Sequence, residues 1–282
     1  MSAAEPPAAP SGEPQPVAEP PATSRDEPQP VAEPPAAPRD DPQPAAALPL
    51  PTPQVVIFDL DYTLLRPSDQ FEAPGYVRTG ARFGLELDPA RWSQAERAAY
   101  GAAAARREET GLIHDDGLLA VIANAIIAGL GGGPAGAVAL TARAIIAAWS
   151  DVHNFGLYDD VLPCLDALRA AGVRMALLSN ALGHGVEEIV AHFALDEYMA
   201  AAVSSVETGA VKPAPRMFST LFGLLGVSPA DAVMVGDSVE DDVKGAVACG
   251  CPAILLDRSG RRRDLTVPRI QSLAELPAAL GL

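Results

Sequence analysis

Two aspartates one residue apart, Asp59 and Asp61, follow the apolar run Val55-Val56-Ile57-Phe58. An extended backbone alternates its side chains, so both carboxylates fall on one side, about 6–7 Å apart. At the carboxyl end of a strand they project into the crevice where open α/β sheets hold ligands. Two carboxylates in such a place repel each other unless a cation joins them or one of them keeps a proton. The pair therefore suits a nucleophilic Asp, a neighbouring acid/base Asp and a divalent metal ion. Taken alone, the stretch reads equally as a strand that runs into a solvated acidic turn.

Three later pieces shift that balance. Ser179-Asn180 closes the apolar run 173–178, Val211-Lys212-Pro213 stands just before a helical stretch, and Gly236-Asp237-Ser238 closes the run 232–236. Asp241 and Asp242 follow shortly after. In a parallel sheet the carboxyl ends of all strands lie along one edge, so these groups are expected to meet around one crevice. A phosphate needs hydrogen-bond donors, which Ser179, Asn180, Lys212 and helix N-terminal amides supply. A magnesium ion needs a few hard oxygens, which Asp59, Asp237 and either Asp241 or Asp242 supply. A carboxylate can attack phosphorus to give an aspartyl-phosphate.

The elements that would position these residues are legible in outline. From Ser68 to about Phe155 the sequence is helical: an Ala-rich stretch opened by Pro89, a second from Gly117 to Leu130 capped by Asp115 or Asp116, and a third from Gly136 to Trp149. Nearly ninety residues without a needed strand form a second, all-helical module, residues 67–155. Helices then alternate with apolar strands: 173–178, a weaker one at 202–206, then 232–236 and 252–256. That alternation implies a parallel, doubly wound sheet. The expected fold class is α/β: a Rossmann-like core over residues 54–66 and 156–282, with the helical module inserted after the first strand.

Residues 1–53 differ from the rest. Seventeen of the 28 prolines fall there, and Glu13-Pro-Gln-Pro-Val-Ala-Glu-Pro-Pro-Ala recurs from Glu27 and, degraded, from Asp41. With few large apolar residues to bury, such a segment cannot offset its ordering entropy, and an extended Pro-rich tail is expected. Its role reads as solubilising, with a tether for a Pro-binding module as the alternative.

The net charge of −16 argues against nucleic acid and against a basic membrane-binding face. Cys164, Cys249 and Cys251 form no C-x-x-C and leave an odd count, which fits a reducing cytoplasm. The chain opens without a basic region followed by an apolar core, so no signal peptide is read there. The most apolar stretch, Leu118–Leu130, is 13 residues and includes Asn124; a membrane span needs about 18 or more. Against 18 arginines there are two lysines, Lys212 and Lys244. Lys212 falls in the slot the chemistry requires, whereas Lys244 reads as a solvated residue.

Taken in order, Asp59-Leu-Asp-Tyr-Thr, Ser179-Asn180, Lys212-Pro213 and Gly236-Asp237-Ser238-Val-Glu-Asp-Asp242 resemble the four motifs of the haloacid dehalogenase-like superfamily. The resemblance covers about residues 54–282. It implies a Rossmann-like core with a helical cap after the first strand. It also implies that Asp59 is the nucleophile and that Asp61 protonates the leaving alcohol, then activates water, while its main-chain carbonyl binds the metal. Ser179 would hold phosphoryl oxygens, Lys212 would neutralise Asp59 and the phosphate, and Asp237 would bind magnesium. The further acid stands either four or five places after Asp237 in that family; Asp241 and Asp242 fill both slots, with Asp242 preferred for its spacing to Gly245-Ala246.

The expected activity is a magnesium-dependent phosphomonoester hydrolase acting on a small phosphorylated metabolite. A phosphomutase, a 2-haloacid dehalogenase and an idle tail-tethered binding protein remain as alternatives. The dehalogenase branch resembles this one but lacks the second aspartate, which Asp61 supplies here. Residues 66–155 contain no Lys, so a cap Schiff base of the phosphonatase kind has no amine. His114 reads as a surface residue. His153, Asn154, Phe155 and His184 are candidates to line the crevice, and Trp92, Trp149 and Tyr100 are expected in the core of the helical module. Arg258 and Arg261-Arg262-Arg263 read as a solvated loop, with anion steering as the alternative.

Overall fold

The computed structural model describes residues 48–110, 117–180, 183, 185–262 and 265–282. Residues 1–47, His114, Asp115, Asp116, His184 and Arg263, on which expectations were placed above, lie outside the described residues. Six strands form one parallel sheet: β1 (Val55–Phe58), β4 (Arg174–Ser179), β5 (Met199–Ser204), β6 (Ala232–Gly236), β7 (Ala253–Leu256) and β8 (Arg269–Ile270). Their spatial order is β5-β4-β1-β6-β7-β8. The chain moves outward from β1 in one direction and then returns to the other side, so the change of direction falls beside β1. Crevices open at such points in doubly wound sheets.

β1 is buried on both faces, which is why it reads as an uninterrupted apolar run. Val56 and Phe58 join the cluster on one face, with Leu165, Leu168 and Leu177; Val55 and Ile57 join the other, with Phe218, Leu221 and Met234. α5 (Val161–Ala170) and α8 (Pro215–Leu225) supply these covering layers through their buried leucine and phenylalanine stripes.

Between β1 and β4 the chain makes a two-stranded antiparallel ribbon, β2 (Leu65–Pro67) with β3 (Phe155–Leu157), pairing Leu65 with Leu157 and Pro67 with Phe155. This ribbon was not expected, because Pro67 reads as a pattern breaker; in a two-stranded ribbon it occupies the last position of β2, where a missing donor is tolerated. Between its strands lie α1 (Ala73–Arg82), α2 (Trp92–Thr110), α3 (Leu118–Gly129) and α4 (Ala135–Trp149). These helices have their own apolar cluster, built on Tyr76, Leu87, Ala95, Ile126, Ile127 and Ile145. Gly129 has no Cβ, and one there would lie 2.5 Å from Ala95 Cβ, so α2 and α3 can approach closely.

Several expectations are corrected in detail. The weak strand begins at Met199 rather than Ala202, and Ser205–Thr208 is a short helix, α7, closed by a capping box between Ser204 and Glu207. β8 was missed, since two residues carry no periodicity. Just before β1 the chain packs on the core: Leu50 is buried, its N–H donates to Ala279 O at 2.8 Å, and Thr52 Oγ1 donates to Leu280 O. A tail ending at residue 53 is therefore too long, because Leu50 is large enough to be drawn into the core. Tyr100 is exposed, not part of the helical core. Trp149 packs on Phe71 and Phe155, at 4.8 and 5.1 Å between ring centroids, and so belongs to the junction with the sheet. No helix of the described residues is long and apolar enough to cross a membrane.

Candidate active site

The carboxyl edge of the sheet gathers the polar residues. Asp59 follows β1, and its N–H continues the ladder to Val235 O at 3.0 Å. Its carboxylate is buried against Lys212, whose Nζ donates to Asp59 Oδ1 at 2.6 Å and to Asp242 Oδ1 at 2.7 Å. Lys212 is 1% exposed. A buried ammonium needs such partners to offset its lost hydration.

Asn180 explains why Lys212 lies where it does. Its Oδ1 accepts from Lys212 N at 2.7 Å and its Nδ2 donates to Lys212 O at 3.3 Å. Ser205 Oγ in turn donates to Asn180 O at 2.7 Å. The Asn180 side chain thus brackets the Lys212 main chain. Ser179 ends β4 fully buried, paired in the ladder with Ser204.

Gly236 closes β6, and a Cβ there would stand 2.2 Å from Asp242 Oδ2, so only glycine leaves room for that carboxylate. Asp242 rises from a π-helical stretch, Val239–Lys244, that leads into α9 (Gly245–Ala248). Its Oδ2 accepts from Ser238 N at 3.0 Å. The side chains of Asp59, Asp237 and Asp242 each bring one oxygen within 4.8 Å of the others. Asp241 is not in that group; its main-chain N–H donates to Ser238 Oγ, the helix cap, at 3.1 Å. Of the two adjacent acids, the structure brings Asp242 to the cluster and leaves Asp241 outside it. Asp61 stands outside the three-carboxylate group as well, but its charge acts on Asp59.

The electrostatics follow from burial and crowding. Burial, together with the charges of Asp242 and Asp61, lifts the Asp59 carboxyl to about 7 despite the opposing pull of Lys212. Burial and the neighbouring Asp59 and Asp242 hold Asp237 well above the usual carboxylate range. Burial works to lower Lys212, but Asp242 and Asp59 outweigh it and hold the ammonium above its ordinary value. Three carboxylates share one ammonium, so the cluster has a deficit of positive charge. Both oxygens of Asp242 are engaged, whereas Asp59 Oδ2 has no hydrogen-bond partner among the described residues. A hard divalent cation with oxygen ligands fits that donor set.

Other candidates fall elsewhere. His153 is exposed, with Nδ1 2.8 Å from Asp151 Oδ1. Asn154 Nδ2 donates to Ala148 O, and Phe155 is buried in β3. Lys244 pairs with Glu240 across one helical turn at the surface, as expected. Arg258 is not a solvated loop cation: it forms a two-point pair with Asp160 at 2.9 and 3.0 Å. The available signal was position, since Arg258 stands two residues after the end of β7, at the carboxyl edge of the sheet that also carries Asp59.

The sequence pattern of haloacid dehalogenase-like hydrolases matches residues 53–250. The chain belongs to that family. Among relatives of this hydrolase, mouse N-acylneuraminate-9-phosphatase is 38% identical over 129 residues, 44% of this chain and 52% of that protein. Phosphoserine phosphatase of Thermus thermophilus is 33% identical over 112 residues, 40% of this chain and 45% of that one. The hydrolase thus spans about half the length of the curated relatives it matches. Among solved structures, the hydrolase YfnB of Bacillus subtilis, bound to magnesium, has a TM-score of 0.63 at 19% identity, covering 81% of this chain and 98% of that one. A dehalogenase solved with an intermediate complex has a TM-score of 0.56 at 20% identity, covering 80% and 96%. At these identities the likeness establishes the fold.

Proposed function

We propose that this hydrolase is a magnesium-dependent phosphomonoesterase that turns over a small phosphorylated metabolite through an aspartyl-phosphate. The observation that carries the reading is the buried Asp59–Lys212 contact of 2.6 Å, set beside two further carboxylates that one ammonium cannot neutralise. That the relatives named above are phosphatases supports the same reading.

Asp59 attacks phosphorus, forming a carboxylate–phosphorus bond as the ester oxygen departs. Asp61 gives its proton to that oxygen, which leaves as an alcohol. Asp61 then takes a proton from water, whose oxygen attacks phosphorus and frees both Asp59 and inorganic phosphate. Lys212 steadies the nucleophile and the phosphoryl charge, with Asn180 fixing its main chain. Ser179 is assigned to the phosphoryl oxygens. Asp59, Asp237 and Asp242 would hold the magnesium ion, which supplies charge neutralisation for the phosphoryl group when bound. Residues 67–155 act as a cap on the crevice in this reading. Their attachment through the β2–β3 ribbon supports it, as does Trp149, whose ring centroid lies 6.5 Å from that of Tyr62 beside Asp61.

The test is release of phosphate from p-nitrophenyl phosphate with magnesium and with a chelator, alongside halide release from 2-chloropropionate. Phosphate release that requires the cation is expected. Halide release without phosphate release would replace the proposal with the dehalogenase reading. A screen of phosphorylated small metabolites then identifies the substrate.

A further inference from the structure

Arg258 is set apart from the charges around Asp59, yet it reaches the turn that carries Asp61. Its Nη1 and Nη2 donate to the two oxygens of Asp160, and Nη2 donates also to Thr63 O at 2.8 Å. The guanidinium lies over the Tyr158 ring, 3.7 Å from its centroid. Each partner is itself fixed. Asp160 Oδ2 accepts from Ser272 Oγ at 2.7 Å and Leu273 N at 2.9 Å. Tyr158 N donates to Leu64 O at 3.1 Å. The loop that bears Arg258 is folded around the Asp257 carboxylate, which accepts from Ser259 Oγ and Arg262 N, both at 2.8 Å.

Thr63 stands two residues after Asp61, just past Tyr62, whose φ of 62° is left-handed and strained for a residue with a Cβ. Inside the turn, Tyr62 N donates to Leu65 O, and Leu60 O accepts from Leu64 N and Leu65 N, all at 2.9 Å. Thr63 Oγ1 is buried with no hydrogen-bond partner, so the side chain gives the turn no anchor. From outside, the turn is held at two carbonyls: Tyr158 N reaches that of Leu64, and Arg258 is the side chain that reaches that of Thr63.

We propose that Arg258 is a positioning residue for Asp61, holding the main chain of its turn while Asp160 and Tyr158 hold the guanidinium. A planar fork serves three acceptor atoms at once; a lysine ammonium has neither the plane nor the stacking surface. The consequence for proton transfer rests on the phosphatase reading, whereas the grip on the turn does not.

Two measurements on full-length Arg258→Lys decide the matter. Hydrogen exchange at the amides of residues 60–65 is expected to rise about tenfold while β4 and β7 keep their protection. Turnover of an alkyl ester, glycerol 3-phosphate, is expected to fall about 30-fold or more, and that of p-nitrophenyl phosphate about threefold or less, with KM within about threefold for both. General acid catalysis is worth about 10²–10⁴-fold, and an aryl leaving group needs little of it. Unchanged exchange at the turn overturns the proposal, and equal losses on both esters sever its link to Asp61. Should Arg258→Lys fail to fold, Asp160→Asn weakens the same grip and must give the same pattern. Wild-type protein that hydrolyses neither ester overturns the phosphatase reading, and the exchange result still decides the grip.

Discussion

Two sets of buried or half-buried charges stand on the same edge of this sheet, and they are balanced differently. Around Lys212, three carboxylates share one ammonium. Around Arg258, one carboxylate meets one guanidinium, and every further contact is a neutral hydrogen bond or a ring. The first set pushes Asp59 and Asp237 above the usual carboxylate range; in the second, burial opposes but hydrogen bonds to Arg258, Ser272 and the Leu273 amide prevail, and Asp160 is held below it. A balanced set serves to hold parts together. An unbalanced one is a standing demand for a cation, and a demand of that kind in a crevice points to chemistry.

The largest effect that would break this contrast is at Asp59. Asp59→Asn should lower phosphate release on the order of 10⁴–10⁶-fold, as removing a nucleophile does elsewhere, while the melting temperature stays level or rises because one uncompensated carboxylate is gone. A variant that kept most of its turnover would end the covalent mechanism. Next comes Lys212→Met, which strands Asp59 and Asp242 in the interior. Breaking such a pair costs about 3–5 kcal/mol, which thermal melts should register as a drop of about 10 °C.

The demand for a cation gives the third expectation. Magnesium at about 100 times its Kd should stabilise the protein by about 2.7 kcal/mol, read as a rise in melting temperature. Asp237→Asn should remove most of that rise, and magnesium should not move the melting of the protein through the Arg258 set. The fourth sharpens the other side. The folded Asp160 carboxyl is held below its unfolded value of about 3.9, so its contribution is complete above that value and is lost as pH falls through the folded one. The gap in melting temperature between wild type and Asp160→Asn should therefore be largest near neutral pH and shrink below about pH 4. The smallest effect is at the second lysine: Lys244→Ala breaks a surface pair with Glu240 and should cost about 0.5 kcal/mol or less by denaturant titration.

What the sequence made legible follows the strength of local signals. β1, β6 and β7 are apolar runs and β4 is apolar after Arg174, so these four strands were legible, and the polar residues that follow β1, β4 and β6 marked themselves by position. β5 is mostly alanine and β8 is two residues, and neither has a pattern strong enough to set its bounds. The choice between Asp241 and Asp242 needed the π-helical stretch, which turns one of two adjacent acids inward. The hold of Asn180 on Lys212 has no local sign, because the main chain it contacts is 32 residues away. Arg258 was passed over for the same reason. Its partners lie 98 and 195 residues distant, and nothing local to it announces them.

The ribbon of β2 and β3 has one more implication. Leu65 and Leu157 are direct neighbours across it, so the helical segment departs and returns through adjoining points. Joining two points that already touch adds little closure entropy, and that little grows slowly with the length enclosed. The sheet can thus keep its reactive groups in register while the intervening helices are lengthened, shortened or exchanged. If residues 67–155 act as the proposed cap, helices grafted there from a sister protein should change which molecules this scaffold accepts.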